Sequence, residues 1–313
     1  MNNIFDKLRN YLDSKALVLM YHRIATLSND PWELAVSPEH FEQQLQVLSG
    51  KNIIALDQLL LQLKKGKLKR NAVAVTFDDG YIDNYTVAEP LLEKYRIPAT
   101  FFIPSKNIGS QNEYWWDELE LIIHDKSITP RDLRLAADGE SISVSKDEFD
   151  NRNSLYVRIW EKLLPLPFEK QQKMLTELRS VLNVSKSSRS NYCCMNQGQL
   201  QKMSESDLFS LQAHTVTHPA LAHQPLQVQE YELKQGWKDI SNITGDSIGT
   251  IAYPYGNYND DTISIAKKYF EAGFTTEPKL IFRGSDPFRL GRFKVNDWDG
   301  DTFESKLNQW FKG

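Results

Sequence analysis

Cysteine is almost missing from this chain: there are two, Cys193 and Cys194, and they are adjacent. Two vicinal sulfurs build no disulfide framework and make a poor start for a tetrahedral metal site, so both read as structural. A reducing compartment is then the default. Long apolar runs are missing too, since nothing approaches the ~20 residues that span a bilayer. The N-terminal stretch is broken by Asp6, Lys7 and Arg9 and lacks the apolar core of a signal peptide. The expected address is the cytoplasm, with the inner membrane surface as the alternative. Ile4, Phe5, Leu8, Tyr11 and Leu12 follow a helical stripe, expected to dock on the domain because its polar face is not strongly basic. Basic excess is also lacking: 37 Lys and Arg face 41 Asp and Glu, a net charge of −4. That balance gives no electrostatic reason to expect nucleic acid as a partner. No internal repeat is visible.

What remains is ordinary in bulk. The 313 residues are 41% hydrophobic and 25% charged, enough for one large α/β domain with an insertion or for two smaller domains. Ala16–Arg23 reads as a buried strand that delivers His22 at its end. Ser37-Pro38 opens a helix with serine as N-cap and proline at the first helical position. A short strand at Asn52–Ala55 and a leucine-rich helix at Leu56–Leu63 follow. The strand Val73–Phe77, a helix through Tyr85, Ala88, Leu92 and Tyr95, and the strand Pro98–Pro104 continue the alternation. Such β-α-β-α order predicts a mostly parallel sheet or barrel with its chemistry at the carboxyl ends of the strands.

The rhythm breaks between about 112 and 195, a block too long and too patterned for a plain loop. It opens on an aromatic helix at Tyr114–Leu119, continues in a hairpin around Asp138-Gly139, and adds two amphipathic helices near Leu155–Leu164 and Phe168–Leu182. The polar run Ser185–Asn191 reads as the return linker. Alternation resumes with a helix near Gln197–Met203, strands at Phe209–Ala213 and Gly249–Tyr253, and helices near Pro225–Asn242 and Asp260–Phe270. A strand near Leu290–Val295 and a last helix from about Thr302 end the chain. We read 1–313 as a single domain carrying an inserted α+β subdomain at 112–195.

Three strand ends carry candidate chemistry. After Val73–Phe77 come Asp78, Asp79 and Gly80. Adjacent carboxylates repel, and a divalent cation on one that leaves the other free as a base is one compensation; a solvated Asp-Asp-Gly turn is the other. After Phe209–Ala213 come His214 and His218, four residues apart, able to point two imidazole nitrogens at one centre. With one aspartate they form a two-histidine, one-carboxylate set that leaves positions open for water and substrate. The third strand runs into Ala252-Tyr253-Pro254-Tyr255-Gly256, where tyrosines can wall a sugar ring and a backbone N–H can face a developing oxyanion.

These stretches, TFDDGY, HTVTH and AYPYG in that order, resemble the three motifs of the polysaccharide deacetylases of NodB homology, carbohydrate esterase family four. PATFFIP and LMYHRI add a resemblance to a subgroup that includes poly-N-acetylglucosamine deacetylases. The resemblance covers Leu17–Pro104 and about Gln197–Val295, with the inserted block outside it. It implies a distorted (β/α) barrel and metal-assisted amide hydrolysis. Asp78 would be the general base on a metal-activated water, and Asp79, His214 and His218 would ligate the metal, zinc by preference. The backbone N–H of Tyr255 would help hold the oxyanion. Two positions depart from the pattern. The arginine of RxPY falls at Ala252, and Arg292 is our substitute for it. The C-terminal LxH histidine is absent, and Leu221-Ala222-His223 lies too near His218 to replace it. In the LMYHRI subgroup the barrel looks circularly permuted, which makes His22 on the first strand the candidate acid. Asp297 and Trp298 are weaker candidates to line the site or support His22.

The resulting expectation is a metal-dependent N-deacetylase acting on an N-acetylated sugar or oligosaccharide, in a glycan or a glycan precursor. Two alternatives stay open: an amide or imide hydrolase on a non-sugar substrate, and a carbohydrate-binding barrel without catalysis.

Overall fold

The computed structural model describes residues 14–137, 139–245 and 248–312. The N-terminal stripe Ile4–Leu12 and Asp138 of the expected turn lie outside them. Among the described residues the central sheet has nine strands, and seven of them are the parallel staves of the barrel: β1 (Lys15–Tyr21), β2 (Ala72–Asp78), β3 (Ala99–Ile103), β4 (Phe209–Ala213), β5 (Thr250–Ala252), β6 (Ala272–Phe274) and β7 (Phe293–Lys294). Neighbours run parallel in the order β6-β5-β4-β3-β2-β1. β7 pairs in parallel with β1, and Leu290 just before it bridges in parallel to Phe274 on β6. One short segment therefore spans the gap between the first strand and the sixth, and the sheet curls into a distorted barrel. The antiparallel strand Ile281–Phe282 beside β1 makes the sheet mixed.

Period two decides what points inward. On β1 and β2 the even-numbered Ala16, Val18, Ala72 and Ala74 join Phe102, Ala252, Phe274 and Leu290 in one apolar cluster. The odd-numbered Leu17, Leu19, Val73, Val75 and Phe77 pack against the helices instead. Small residues suit the narrow interior. Following the same parity upward leads to His22 beyond Met20, and to Asp78 beyond Thr76. Both faces of β2 are covered, which is why all seven of its residues are buried and its sequence reads as nearly continuous apolar.

The helix Pro38–Ser49 starts as expected, with the Ser37 side chain accepting from the His40 N–H and proline in the first turn. The expected helix after β2 is different. It opens with a wide turn of the π type at Asn84–Ala88 and becomes regular only over Glu89–Tyr95. The widening accompanies an inward pull: Asp83 accepts from the N–H of Ile24 at 2.9 Å, and Asn84 donates to the carbonyl of His22 at 2.8 Å. Such turns recur where a local demand overrides helix geometry.

Residues between Tyr114 and Leu182 build a second apolar cluster from helices Trp115–His124, Arg152–Leu163 and Phe168–Leu182 and the hairpin Leu133–Ala137/Glu140–Val144. Tyr81, next to the paired aspartates, belongs to this cluster and not to the barrel's. Arg189 in the return segment ties the block's two ends together through Glu113 at 2.7 Å and Glu120 at 2.6 Å. Among the described residues no helix is long and apolar enough to cross a membrane.

Candidate active site

Four non-glycine residues at the top of the barrel hold left-handed backbone: Asp79 (φ 70°), Thr215 (φ 68°), His218 (φ 58°) and Tyr255 (φ 58°). This conformation is costly for such residues and persists only where surrounding structure imposes it, which points to a site. The turn after β2 shows how. Gly80, at φ 64°, holds a backbone conformation that other residues rarely adopt, and a Cβ there would also press on Ile103 Cδ1 at 2.7 Å. The Tyr114 hydroxyl donates to the carbonyl of Asp79. Asp78 and Asp79 are thereby turned apart, although they are adjacent in sequence.

Asp78 faces Arg292. The guanidinium donates from Nη1 to Oδ1 at 2.6 Å and from Nη2 to Oδ2 at 2.7 Å, and both residues are buried. Nε of Arg292 also donates to the Thr275 carbonyl at 3.1 Å, so the fork is held from behind. Burial pushes the Asp78 carboxyl up, but the charges of Arg292 and His214 with the guanidinium hydrogen bonds outweigh it and hold it below the ordinary range. Arg292 arrives on the closing segment just before β7.

Asp79 faces the histidines. Its Oδ1 lies 3.2 Å from His218 Nε2 and 3.5 Å from His214 Nε2, and the two Nε2 atoms are 3.1 Å apart. His214 Nδ1 donates to the carbonyl of Ala252 at 2.7 Å, which leaves the lone pair on Nε2, facing Asp79. The His218 ring is gripped between Tyr255 and Trp116, at 4.5 Å and 4.8 Å between centroids. Burial lowers His218 against the pull of Asp79, while Asp79 is held far below the ordinary range by the imidazoles around it, despite its burial. Neutral imidazole beside ionised carboxylate is the state that binds a cation. The buried Oδ1 of Asp79 has no hydrogen-bond donor, and the three ligand atoms lie within 4.8 Å of one another, so the residues fit a divalent metal.

His22 shares a cavity of about 340 Å³ with Asp78, Asp79, His214, His218 and Tyr255. It is half-buried; burial lowers its pKa against the attraction of Asp79 and Asp78. Asn84, at the start of the wide turn, donates to the carbonyl of His22, and Asp83 just before it accepts from the Ile24 N–H, so the backbone leaving His22 is held. Trp32, Trp116 and Trp160 line the same cavity with Tyr255, so an aromatic wall adjoins the acidic and histidine groups. Trp115 does not line it but donates to the Tyr255 hydroxyl at 3.2 Å. Trp32 and Trp160 were not legible as site residues. Trp32 is a lone indole in a polar loop, and Trp160 follows a helical stripe that reads as core. Asp297 is a correction: it binds His40 at 2.8 Å and the Ser37 N–H, away from the cavity. His223 is exposed on a separate turn, and Cys193 and Cys194 are buried, free thiols beside Tyr81.

Comparisons with known proteins bear on the family and the fold. The family model described as polysaccharide deacetylase matches residues 65–129 and 180–272, just over half of the chain; it leaves 130–179 unmatched but takes in both ends of the block expected to lie outside the resemblance, its aromatic helix included. The curated poly-beta-1,6-N-acetyl-D-glucosamine N-deacetylase of Staphylococcus aureus is 27% identical over 96% of this chain and 84% of its own length. Among solved structures, the Streptococcus pyogenes deacetylase PplD in complex with acetate matches 96% of this chain and 99% of its own, with a TM-score of 0.63 at 22% identity. IcaB from Ammonifex degensii matches 96% and 98%, with a TM-score of 0.62 at 19% identity. These likenesses place the fold. His22 and Arg292 fall outside the matched segments, whereas Asp78, Asp79, His214, His218 and Tyr255 fall inside them. With all three strand-end motifs inside a match of that extent, the chain belongs to the polysaccharide deacetylase family of hydrolases.

Proposed function

We propose that this protein is a metal-dependent N-deacetylase that removes the acetyl group from N-acetylglucosamine units of a glycan or glycan precursor. The observation that carries the reading is one cavity lined by both an Arg292-clamped Asp78 beside the Asp79, His214 and His218 set and by the indoles of Trp32, Trp116 and Trp160. The sugar is taken from the Staphylococcus aureus relative's named substrate, and the wall suits it, since a sugar ring offers apolar C–H faces to indole.

Asp79, His214 and His218 would hold the ion, zinc by their two imidazoles and one carboxylate. When bound there, such a cation would supply Lewis acidity toward the acetamide carbonyl and would lower the pKa of water toward neutrality. Asp78 takes the proton of that water. Each of its oxygens keeps a lone pair beyond the one given to Arg292, and the depressed pKa makes it a weak base, which serves only on a water already acidified. The backbone N–H of Tyr255 faces the developing oxyanion. His22 gives a proton to the departing amine nitrogen, so that acetate and a free amino sugar leave. The indoles pack on the sugar and exclude bulk water.

The test is acetate release from a panel of N-acetylated monosaccharides, nucleotide sugars and oligosaccharides, before and after chelation and with zinc or cobalt restored. Release that follows the metal is expected. A chain that binds zinc but turns over only non-sugar amides or cyclic imides moves the reading to that substrate class. A chain inert with either metal is a binding barrel.

A further inference from the structure

The loop carrying His214 and His218 is improbable by itself. Thr215 is β-branched yet left-handed at φ 68°, and His218 is left-handed at φ 58°. The helix Leu226–Thr244, which supplies no residue to the cavity, presents Glu232 and Gly236 to this loop and, three residues on along the same stripe, Asp239 to Ser105 beside it. Glu232 is 3% exposed. Its Oε2 accepts from the N–H groups of Val216 at 2.8 Å and Thr217 at 2.9 Å, and its Oε1 accepts from the Thr217 hydroxyl at 2.7 Å. One turn on, Gly236 touches the loop backbone so closely that a Cβ there would lie 2.8 Å from the carbonyl carbon and oxygen of Thr215. Asp239 accepts from the Ser105 hydroxyl at 2.6 Å, and the Ser105 N–H donates to the Thr215 carbonyl at 3.1 Å. Helix and loop thus meet through backbone amides and carbonyls, which fixes peptide orientation in a way apolar packing does not.

We propose that Glu232, with Gly236 beneath it, is the positioning residue that holds the Val216 and Thr217 peptides so that His214 and His218 aim at one point. The inference rests on the metal reading of the site. Glu232 acts by hydrogen-bond geometry and not by its charge, because the loop groups it binds are neutral.

Zinc affinity, measured by competition with a chromophoric chelator on the full chain, tests this without any substrate. Glu232→Ala and Gly236→Ala are expected to weaken zinc by about 10–100-fold, as losses behind a metal ligand do. Glu232→Gln is expected to stay within about threefold, since its amide oxygen still accepts from both N–H groups and its NH₂ can donate to the Thr217 hydroxyl oxygen. Gly236→Ala improves the helix former, so a loss there comes from the loop and not from the helix. Wild-type affinity in both alanine variants overturns the proposal, as does an equal loss in the glutamine variant. If neither alanine variant folds, Thr217→Val decides: a several-fold loss supports the proposal, and unchanged affinity overturns it. A wild-type chain that takes no zinc at all sinks the metal reading itself, a result distinct from any of these.

Discussion

Replacing Arg292 by methionine keeps most of its apolar volume and strips Asp78 of its partner. Both residues are buried, and the pair is bidentate at 2.6 and 2.7 Å. Removing one partner of such a pair costs about 3–5 kcal/mol, because an ionised carboxylate is left without compensation. For 313 residues at about 2.1 cal/mol/K each, the unfolding entropy is about 0.66 kcal/mol/K, so Tm should fall by about 5–8 °C. The pH dependence should change as well. In the wild type the folded pKa of Asp78 is depressed, so its contribution is present above the unfolded value of about 3.9 and is lost only as pH falls through the lower folded value. Burial is already the largest single influence on this carboxyl, and without Arg292 the opposing charges no longer outweigh it, so the folded value rises. The carboxyl then favours the fold most at low pH, and the variant's Tm deficit should shrink between pH 7 and pH 4. Calorimetry on metal-free protein reads both effects. Adding Asp78→Asn to Arg292→Met removes the orphaned charge and should recover much of the lost Tm while leaving the enzyme inactive. A single variant within about 2 °C of wild type, or a double variant no better than the single one, would refute the reasoning.

The other expectations can be checked on the same protein. Asp78→Asn should retain zinc and lose about 10²–10⁴ in turnover, as loss of a general base does; loss of zinc as well would mean that the two aspartates exchange roles. His22→Ala should slow deacetylation of an amino sugar far more than hydrolysis of an activated aryl acetate, whose leaving group needs no proton, and equal losses would argue against the acid role. Trp160→Ala should raise KM for oligosaccharides with zinc affinity unchanged, and an unchanged KM would remove the aromatic wall from substrate recognition. Asp117, which accepts from the Tyr81 hydroxyl behind Trp116, is pushed by burial to about 7 against Arg23 and that hydrogen bond. Its folded value lies above the unfolded one, so its contribution is full below about 3.9 and is lost as pH rises through about 7. Asp117→Asn should therefore gain in Tm relative to wild type between pH 5 and pH 8, and a constant difference would contradict the shift.

Much of the barrel can be read residue by residue. The strand Phe209–Ala213 falls where alternation and flanking polarity put it, and β2 extends its predicted span by one residue at each end. The helix after β2 does not, because Asp83 and Asn84 are drawn across to β1 and the backbone widens to let them reach. Asp297 failed as a site residue for a related reason: an exposed loop carboxylate has many partners within reach, and His40 and Ser37 took it.

The sequence by itself determined most of the staves, the turn at Gly80 and the four-residue spacing of His214 and His218. Period, chain stiffness and reach are properties of neighbouring residues, and they survive without the fold. Only the tertiary structure decided that Arg292 meets Asp78 across 214 positions, that Trp32 and Trp160 share one wall, and that Glu232 holds the histidine loop. Those pairings follow from the curl of the sheet and the docking of a block and a helix upon it, where partners are chosen by shape and charge and leave no periodic trace in the chain.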